Sequence, residues 1–429
     1  MAERMMKESG INYIGFIPYD WTISRIKNIV STPVTTGAGE EAQNYTDNSL
    51  RYIRISDFDK EGNIIQAKAA YVPYEKGSRY LIAKGDILAA TAGATVGKTM
   101  LYQGLDEPAC YAGYLARISV DRSIMDERFL LYQTKCSLMD GFRVYYVKKS
   151  TIENISATAY GNMPVICPPL ISQKQIVDFL DKKVSKIDVL ISKTKESIEE
   201  YKKLKQAIIT EAVTKGLDAH TEMASNNNPD IPFSPIHWQK RKIKTLFKIK
   251  KDIAGKEGFT VLSITQKGII PKSISSNEGQ LAADYSNYQI VTKGDFAMNH
   301  MDLLTGWVDI SKYDGVTSPD YRVFVLVNKE CYARYYLFFF QMCYSNKYFY
   351  HLGQGVSGMG RWRLQAPQFL NYEVSLPPYH EQIKIADYLD SQCLTFDTLI
   401  SKKEQVLTEL EQYKKSLIYE YVTGKKEVA

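Results

Sequence analysis

Cysteine and histidine are sparse in this sequence, and what there is lies scattered. The six cysteines (Cys110, Cys136, Cys167, Cys331, Cys343 and Cys393) form no Cys-x-x-Cys pair, and the five histidines are equally dispersed. Structural zinc needs clustered ligands, so these thiols read as reduced and mostly buried, in a cytoplasmic protein. Long apolar runs are missing as well. The most hydrophobic stretches, 321–327 and 335–340, are far too short to span a bilayer. Residues 1–10 are polar and charged, without an apolar signal core. A soluble protein with no membrane association and no export route is expected. Strong charge of one sign is also lacking: a net charge of +6 and a pI near 8.7 permit a polyanionic partner without requiring one.

What is present suits globular domains. Of the 429 residues 45% are hydrophobic and 24% charged, which supplies a packed core and excludes wholesale disorder. The length leaves room for about three domains, or two plus extended elements. Tyrosine is abundant, 31 against 16 Phe, and suits surfaces that are both apolar and hydrogen-bonding.

The chain contains a repeat. Residues 168–214 overlay residues 377–423 without a gap at an offset of 209, with 18 identities in 47 positions, far above what composition alone produces. Pro168-Pro169, Gln173, Ile176, Asp178, Leu180, Asp181 and Asp188 fall on Pro377-Pro378, Gln382, Ile385, Asp387, Leu389, Asp390 and Asp397. Upstream the match is looser. Trp21 and Lys27 fall on Trp238 and Lys244 at offset 217, and Lys84-Gly85-Asp86 falls on Lys293-Gly294-Asp295 at 209. The unit is a variable globular part followed by a well-matched segment, built twice.

The matched segments read as helices. The proline pairs suit helix entrances, and no Gly or Pro follows until Gly216 and Gly424, which read as stops. A seam with steps of three and four runs through Ile187, Ile191, Thr194, Ile198, Tyr201, Leu204 and Ile208. Its counterpart is Phe396, Ile400, Lys403, Leu407, Leu410, Tyr413 and Leu417. Each helix would be roughly 65 Å long at ~1.5 Å per residue, and two in one chain most simply pair, burying Ile191, Ile198, Leu407 and Leu410. The polar stretch 217–232, with Asn226-Asn227-Asn228-Pro229, reads as a linker. In the globular parts the pattern predicts strands at 52–55, 86–90, 115–120, 260–264, 288–291 and 321–327, and helices at 126–136 and 332–343, a mixed α/β (α+β) class.

One motif tempts toward an enzyme. Ala92-Gly93-Ala94-Thr95-Val96-Gly97-Lys98-Thr99 fits a relaxed Walker pattern after a strand. A P-loop needs a helix starting at the Lys so that N–H groups and the helix dipole meet the phosphates. Gly104 and Pro108 leave no room for it, and the second copy has no such pattern; a Gly-rich hairpin carrying one Lys is the better reading. Leu376-Pro377-Pro378-Tyr379 resembles the catalytic tetrapeptide of amino-methyltransferases but lacks the leading Asn or Asp. Pro319-Asp320 opens no nuclease motif. No enzyme signature survives.

Basic residues do cluster. Lys240, Arg241, Lys242, Lys244, Lys248, Lys250 and Lys251 fall within 12 positions, and Lys148-Lys149-Ser150 closes the first globular part. Near residue 355, glycines alternate with Gln354, Ser357, Arg361, Trp362 and Arg363. Glycine lets backbone N–H groups approach a phosphate, and Arg and Gln can read base edges. The candidate DNA-contacting residues are therefore Thr95, Lys98, Lys148, Lys149, Ser150, Lys240, Lys242, Gln354, Ser357, Arg361 and Arg363. The candidate helix-pairing residues are Ile187, Ile191, Ile198, Tyr201, Ile208, Phe396, Ile400, Leu407, Leu410 and Leu417.

At this point the chain resembles a known family. The opening Lys7-Glu8-Ser9-Gly10-Ile11-Asn12-Tyr13-Ile14-Gly15-Phe16-Ile17-Pro18-Tyr19-Asp20-Trp21, then Arg25-Ile26-Lys27, is similar to the start of type I restriction–modification specificity subunits. So are Tyr52-Ile53-Arg54-Ile55-Ser56-Asp57-Phe58, the Lys-Gly-Asp stretches, Thr317-Ser318-Pro319-Asp320-Tyr321, and the Pro-Pro…Gln…Ile…Leu-Asp helices. One departure is Ser172 before Gln173, where the family usually has Glu, as in Glu381-Gln382.

The resemblance implies a non-enzymatic reader of double-stranded DNA with a pseudo-twofold internal repeat. Residues 1–167 and 233–376 would be two target-recognition domains, each reading half of a split, asymmetric site. Residues 168–216 and 377–424 would be antiparallel coiled-coil helices that space them, with 217–232 the linker. Two DNA-adenine methyltransferase subunits and then restriction subunits would be the partners. S-adenosylmethionine, ATP and Mg²⁺ would belong to those partners, with no cofactor or metal in this chain. Two other readings stay open: a P-loop protein using Lys98 and Thr99, and a coiled-coil adaptor without a DNA role.

Overall fold

The structure is a computed structural model that describes residues 4–59, 62, 64–146, 154–272, 284–355 and 362–428. Two compact units divide the chain: Met1–Lys195 together with Gln405–Ala429, and Glu196–Glu404. Both contain helix and sheet, and both are assembled on one plan.

In the first unit a hairpin pairs Met6–Glu8 with Phe16–Pro18, and Thr22–Arg25 pairs with the distant Pro164–Cys167. A four-stranded antiparallel sheet follows, in the order Thr35–Thr36, Leu115–Ile118, Ile87–Ala90, Thr99–Leu101. The second unit repeats each piece. Met223–Ser225 pairs with Phe233–Pro235, and Gln239–Lys242 with Glu373–Leu376. Its sheet runs Phe247–Lys250, Arg322–Leu326, Phe296–Met298, Val308–Ile310. The stretch 217–232 is therefore not a plain linker. It carries the strand Met223–Ser225, buries Ile231, and ties Asn228 Nδ2 to the Glu373 carbonyl at 3.0 Å.

Lys-Gly-Asp is a turn in both copies. The Asp86 carboxylate accepts from the Ala83 N–H at 2.9 Å and from the Ser119 hydroxyl at 2.5 Å. Asp295 accepts from the Thr292 N–H, the Thr292 hydroxyl and Lys250 Nζ, each at 2.8 Å. Gly85 and Gly294 take φ of +98° and +96°, a region closed to most side chains. The motif repeats because the turn repeats.

The long helices are Leu170–Lys215 and Tyr379–Val422, 46 and 44 residues. Each is joined to its domain by the same glutamine. Gln173 Oε1 accepts from the Asp126 N–H at 2.8 Å, while its Nε2 donates to Ile124 and Pro168 carbonyls at 3.0 and 2.8 Å. Gln382 accepts from the Tyr332 N–H at 2.7 Å and donates to Glu330 and Pro377 carbonyls, both at 2.8 Å. Both side chains are fully buried. Next along each helix, Asp181 accepts from Arg128 at 2.5 Å and from Tyr132 at 2.6 Å, and Asp390 accepts from Arg334 Nε at 3.0 Å.

The helices run antiparallel in each unit. In the first, Phe179 meets Tyr421, Lys414 Nζ donates to Asp188 at 2.5 Å and Lys195 pairs with Glu411 at 3.5 Å. In the second, Lys205 Nζ donates to Asp397 at 2.7 Å and Tyr201 meets both Phe396 and Lys403. Lys205 is the repeat equivalent of Lys414, and Asp188 of Asp397, so each unit makes its own copy of the same ion pair.

The seam differs from the expected one at a defined place. Ile187, Ile198, Phe396 and Leu417 are buried, while Ile191, Tyr201, Ile208, Ile400, Leu407 and Leu410 are only half-buried. Leu204 and Tyr413 are exposed, at 49% and 57%. These two are repeat equivalents, so the deviation occurs twice. After Tyr201 and Leu410 the inward step is four rather than three, which brings in Lys205 and Lys414 and turns Leu204 and Tyr413 outward.

The cores explain where the helix ends go. Ile176, Val177, Leu180, Val184, Leu417, Ile418 and Val422 join the core of the first unit. Ala212, Val213, Ile385, Ala386 and Leu389 join that of the second. Gly216, at φ +81°, packs on Trp238, and Gly424, at φ +70°, on Trp21 and Pro18. No helix among the described residues is long and apolar enough to cross a membrane.

Candidate nucleic-acid interface

The Gly-rich stretch of the first unit is a hairpin connection. Gly93–Thr95 forms one helical turn, the Lys98 N–H donates to the Thr95 carbonyl at 2.9 Å, and the chain enters the strand Thr99–Leu101 directly. No helix starts at Lys98, so no aligned N–H groups face a phosphate there. The Thr99 hydroxyl is buried 2.6 Å from that of Thr134 and so is unavailable to a metal ion. The P-loop geometry is absent. Thr95 and Lys98 are both exposed at the hairpin tip.

In the second unit the basic run does not act as one face. Lys240 and Lys242 lie exposed on Gln239–Lys242, all four residues of which face solvent, and Lys240 Nζ donates to the Ser225 carbonyl at 2.6 Å. Lys250 instead turns inward to Asp295 and belongs to the turn described above. Gln354 and Arg363 are brought together as partners in a two-stranded sheet of Gly353–Gln354 and Arg363–Leu364, and both are exposed. Trp362 Nε1 donates to the Tyr350 carbonyl at 2.5 Å, which fixes the indole as a support. Lys148, Lys149, Ser150, Ser357 and Arg361 lie outside the described residues.

Sequence reasoning missed two residues behind the Gln354–Arg363 strands. Arg322 opens the central strand and is only 5% exposed; one guanidinium nitrogen donates to the Leu364 carbonyl at 2.8 Å and the group lies 5.1 Å from the Phe369 ring centre. Its other terminal nitrogen, Nη1, is buried without a hydrogen-bond partner. Burial lowers its pKa to about 10. His300 accepts from the Leu364 N–H through its carbonyl, and its ring Nδ1 is also buried and unpartnered. Burial, then the charges of Arg322 and Arg363, push the imidazole down to about 3. The one signal in the sequence was an arginine inside an otherwise apolar strand.

In the first unit a cleft of about 1190 Å³ is lined by Lys84, Lys135, Arg128, Lys195 and Lys414 together with Asp181 and Asp188. Asp181 and Asp188 engage Arg128 and Lys414, so the surplus in the cleft is positive.

Among the described residues no group of His, Cys, Asp and Glu is placed to hold a metal ion. Burial raises the thiols of Cys110, Cys167 and Cys331 to about 11 and that of Cys136 to about 12, so they are packing groups and not nucleophiles.

Comparison with known proteins fits this geometry. The type I restriction enzyme MjaVIII specificity subunit of Methanocaldococcus jannaschii is 25% identical over 428 residues, covering 95% of this chain and 93% of the relative. A putative MjaX specificity subunit of the same organism is 24% identical, covering 96% and 95%. Among solved structures, a chain from a study of complex assembly and conformational transition in a type I R-M system overlays with a TM-score of 0.70, covering 96% of this chain and 99% of that one at 13% identity. The sequence description of the type I restriction modification DNA specificity domain matches twice, at residues 18–200 and 235–412, on the two halves of the repeat. With both halves matched, the chain belongs to the type I restriction modification DNA specificity family.

Proposed function

We propose that this chain is the DNA-recognition subunit of a type I restriction–modification complex in the cytoplasm, and that each globular part reads one half of a bipartite, asymmetric site. The observation that carries the reading is one frame built twice with different interiors. The hairpins, the sheet order, the Asp turns and the buried glutamines repeat. Within that frame Ala116 is replaced by Arg322, Thr91 by His300 and Tyr160 by Phe369. A shared frame with divergent side chains suits two readers of different sequences on one scaffold. The paired helices would hold the readers at a set spacing. A twofold-like pair on one face of DNA contacts half-sites about one helical turn apart, ~34 Å.

The subunit is non-catalytic. It would recruit two DNA-adenine methyltransferase subunits and then restriction subunits, and S-adenosylmethionine, ATP and Mg²⁺ would be bound there. The test is a hybrid in which residues 231–370 come from a relative. Sequencing of methylated sites should show one half-site changed, with the other half-site and the spacer retained. A change in both half-sites, or in the spacer with the helices intact, would refute two independent readers.

A further inference from the structure

We propose that His300, Arg322 and Arg363 form a phosphate-binding site in the second unit, taking either a DNA backbone phosphate or a free phosphate ion. The DNA source rests on the function proposed above; the site itself does not.

The argument begins with position 322. In the first unit Ala116 lies opposite Ala89, and in the second Arg322 lies opposite Met298, the repeat equivalent of Ala89. Arg322 therefore stands where the sister domain has a fully buried alanine, so the frame folds without a cation there. A buried guanidinium without a counter-charge is costly. Among the described residues no carboxylate lies within 4 Å of it to offset that cost. One carbonyl and the face of Phe369 satisfy part of the group and leave Nη1 open.

The neighbours favour an anionic acceptor for Nη1. The Leu364 backbone links all three residues: its N–H donates to the His300 carbonyl, its carbonyl accepts from Arg322, and Arg363 precedes it. His300 is held neutral beside the two arginines, so its ring can donate one N–H without adding a third charge. Arg363 is exposed and carries the site to the surface, on the strand it shares with Gln354. Two guanidinium groups beside an imidazole N–H, all tied to the Leu364 segment, supply donors that match the oxygens of a phosphate.

The test uses the full-length chain, assembled with its methyltransferase partner if required, as wild type and as Arg322→Ala, Arg322→Met and Arg363→Ala. Ala116 is the precedent for folding of the first variant, Met fills the volume in the second, and the third alters only an exposed side chain. Inorganic phosphate, against chloride at equal ionic strength, should raise the wild-type melting temperature by about 3 °C at ~10-fold excess over Kd, and the variants should lose that shift. Salt titration of binding to random-sequence duplex DNA forms the second arm. A log–log slope shallower by about 0.9 in each variant assigns the site to backbone phosphate, whereas phosphate protection with an unchanged slope assigns it to the free ion. Neither phosphate protection nor a slope change, in folded variants, would overturn the site while leaving DNA recognition standing. Absence of DNA binding by the wild type would instead count against the DNA reading, and the phosphate arm would still decide the site.

Discussion

Trp238 donates its indole N–H to Glu381 at 2.9 Å, and the same carboxylate engages His237 at 2.8 Å. In the first half of the chain the equivalents are Trp21, Ser172 and Asp20. Trp21 Nε1 is buried without a partner. The serine that departs from the family pattern thus leaves a donor unsatisfied, and the change of His237 to Asp20 accompanies the loss of the acid.

Glu381→Ala should reproduce that defect in the second unit, at a cost of about 1–3 kcal/mol. Conversely, Asp20→His with Ser172→Glu should raise stability by about 1 kcal/mol. Ser172→Glu alone should gain less, because it sets a carboxylate beside Asp20. Urea denaturation of the three variants checks this; a double variant no more stable than wild type would show that Trp21 finds water.

The buried glutamines are the joints between helix and domain. Gln173→Leu or Gln382→Leu would strand one N–H and two carbonyls, costing about 2–4 kcal/mol. Limited proteolysis should cut each variant sooner near its own joint, and a wild-type digestion pattern would contradict the assignment.

Along the helix pair, position decides the penalty. Ile198→Asp puts a carboxylate where only 5% of the residue is exposed and should cost about 3 kcal/mol or more. Leu407→Asp, at a half-buried site, should cost less than half as much. Melting followed by circular dichroism at the helix band distinguishes the two, and equal losses would mean that the seam is as closed at 407 as at 198.

His300 predicts a pH dependence. Its folded pKa is lowered from 6.5 to about 3, so between these values the unfolded chain binds the extra proton. The contribution is full above about pH 6.5 and is lost as pH falls toward 3. His300→Gln should therefore flatten the stability profile over that window relative to wild type. Parallel profiles would show that the ring is charged in the folded protein.

Lys98→Ala should leave the melting temperature unchanged, since the side chain is exposed. Isothermal titration with ATP should give no heat for either protein; saturable binding abolished by the substitution would restore the P-loop reading.

Much of the fold was legible because local pattern and tertiary position agree. The strands at 86–90, 288–291 and 321–327 and both long helices lie within a residue or two of their expected ends. Pairings such as Thr22–Arg25 with Pro164–Cys167 were not legible, because neither four-residue strand announces a partner about 140 positions away. The seam was misread at Leu204 and Tyr413, where apolar identity suggested an inward residue and helical phase placed a lysine there instead. At the candidate interface, exposed lysines were found by composition. Arg322 escaped because one arginine in an otherwise apolar strand is a weak signal until its burial without a counter-charge is seen.

The first unit takes its core from both extremes of the chain: Leu417, Ile418 and Val422 complete a cluster that otherwise ends at Ile187. On the ribosome this unit cannot close when residues 1–195 have emerged. It must wait for the roughly 200 residues of the second unit, which at ~5–20 residues per second is about 10–40 s. During that interval an apolar surface stands open with its proper cover not yet synthesised. The order of manufacture therefore makes the second domain the first that can finish folding, and makes any truncation before residue 417 an injury to the opposite end of the protein.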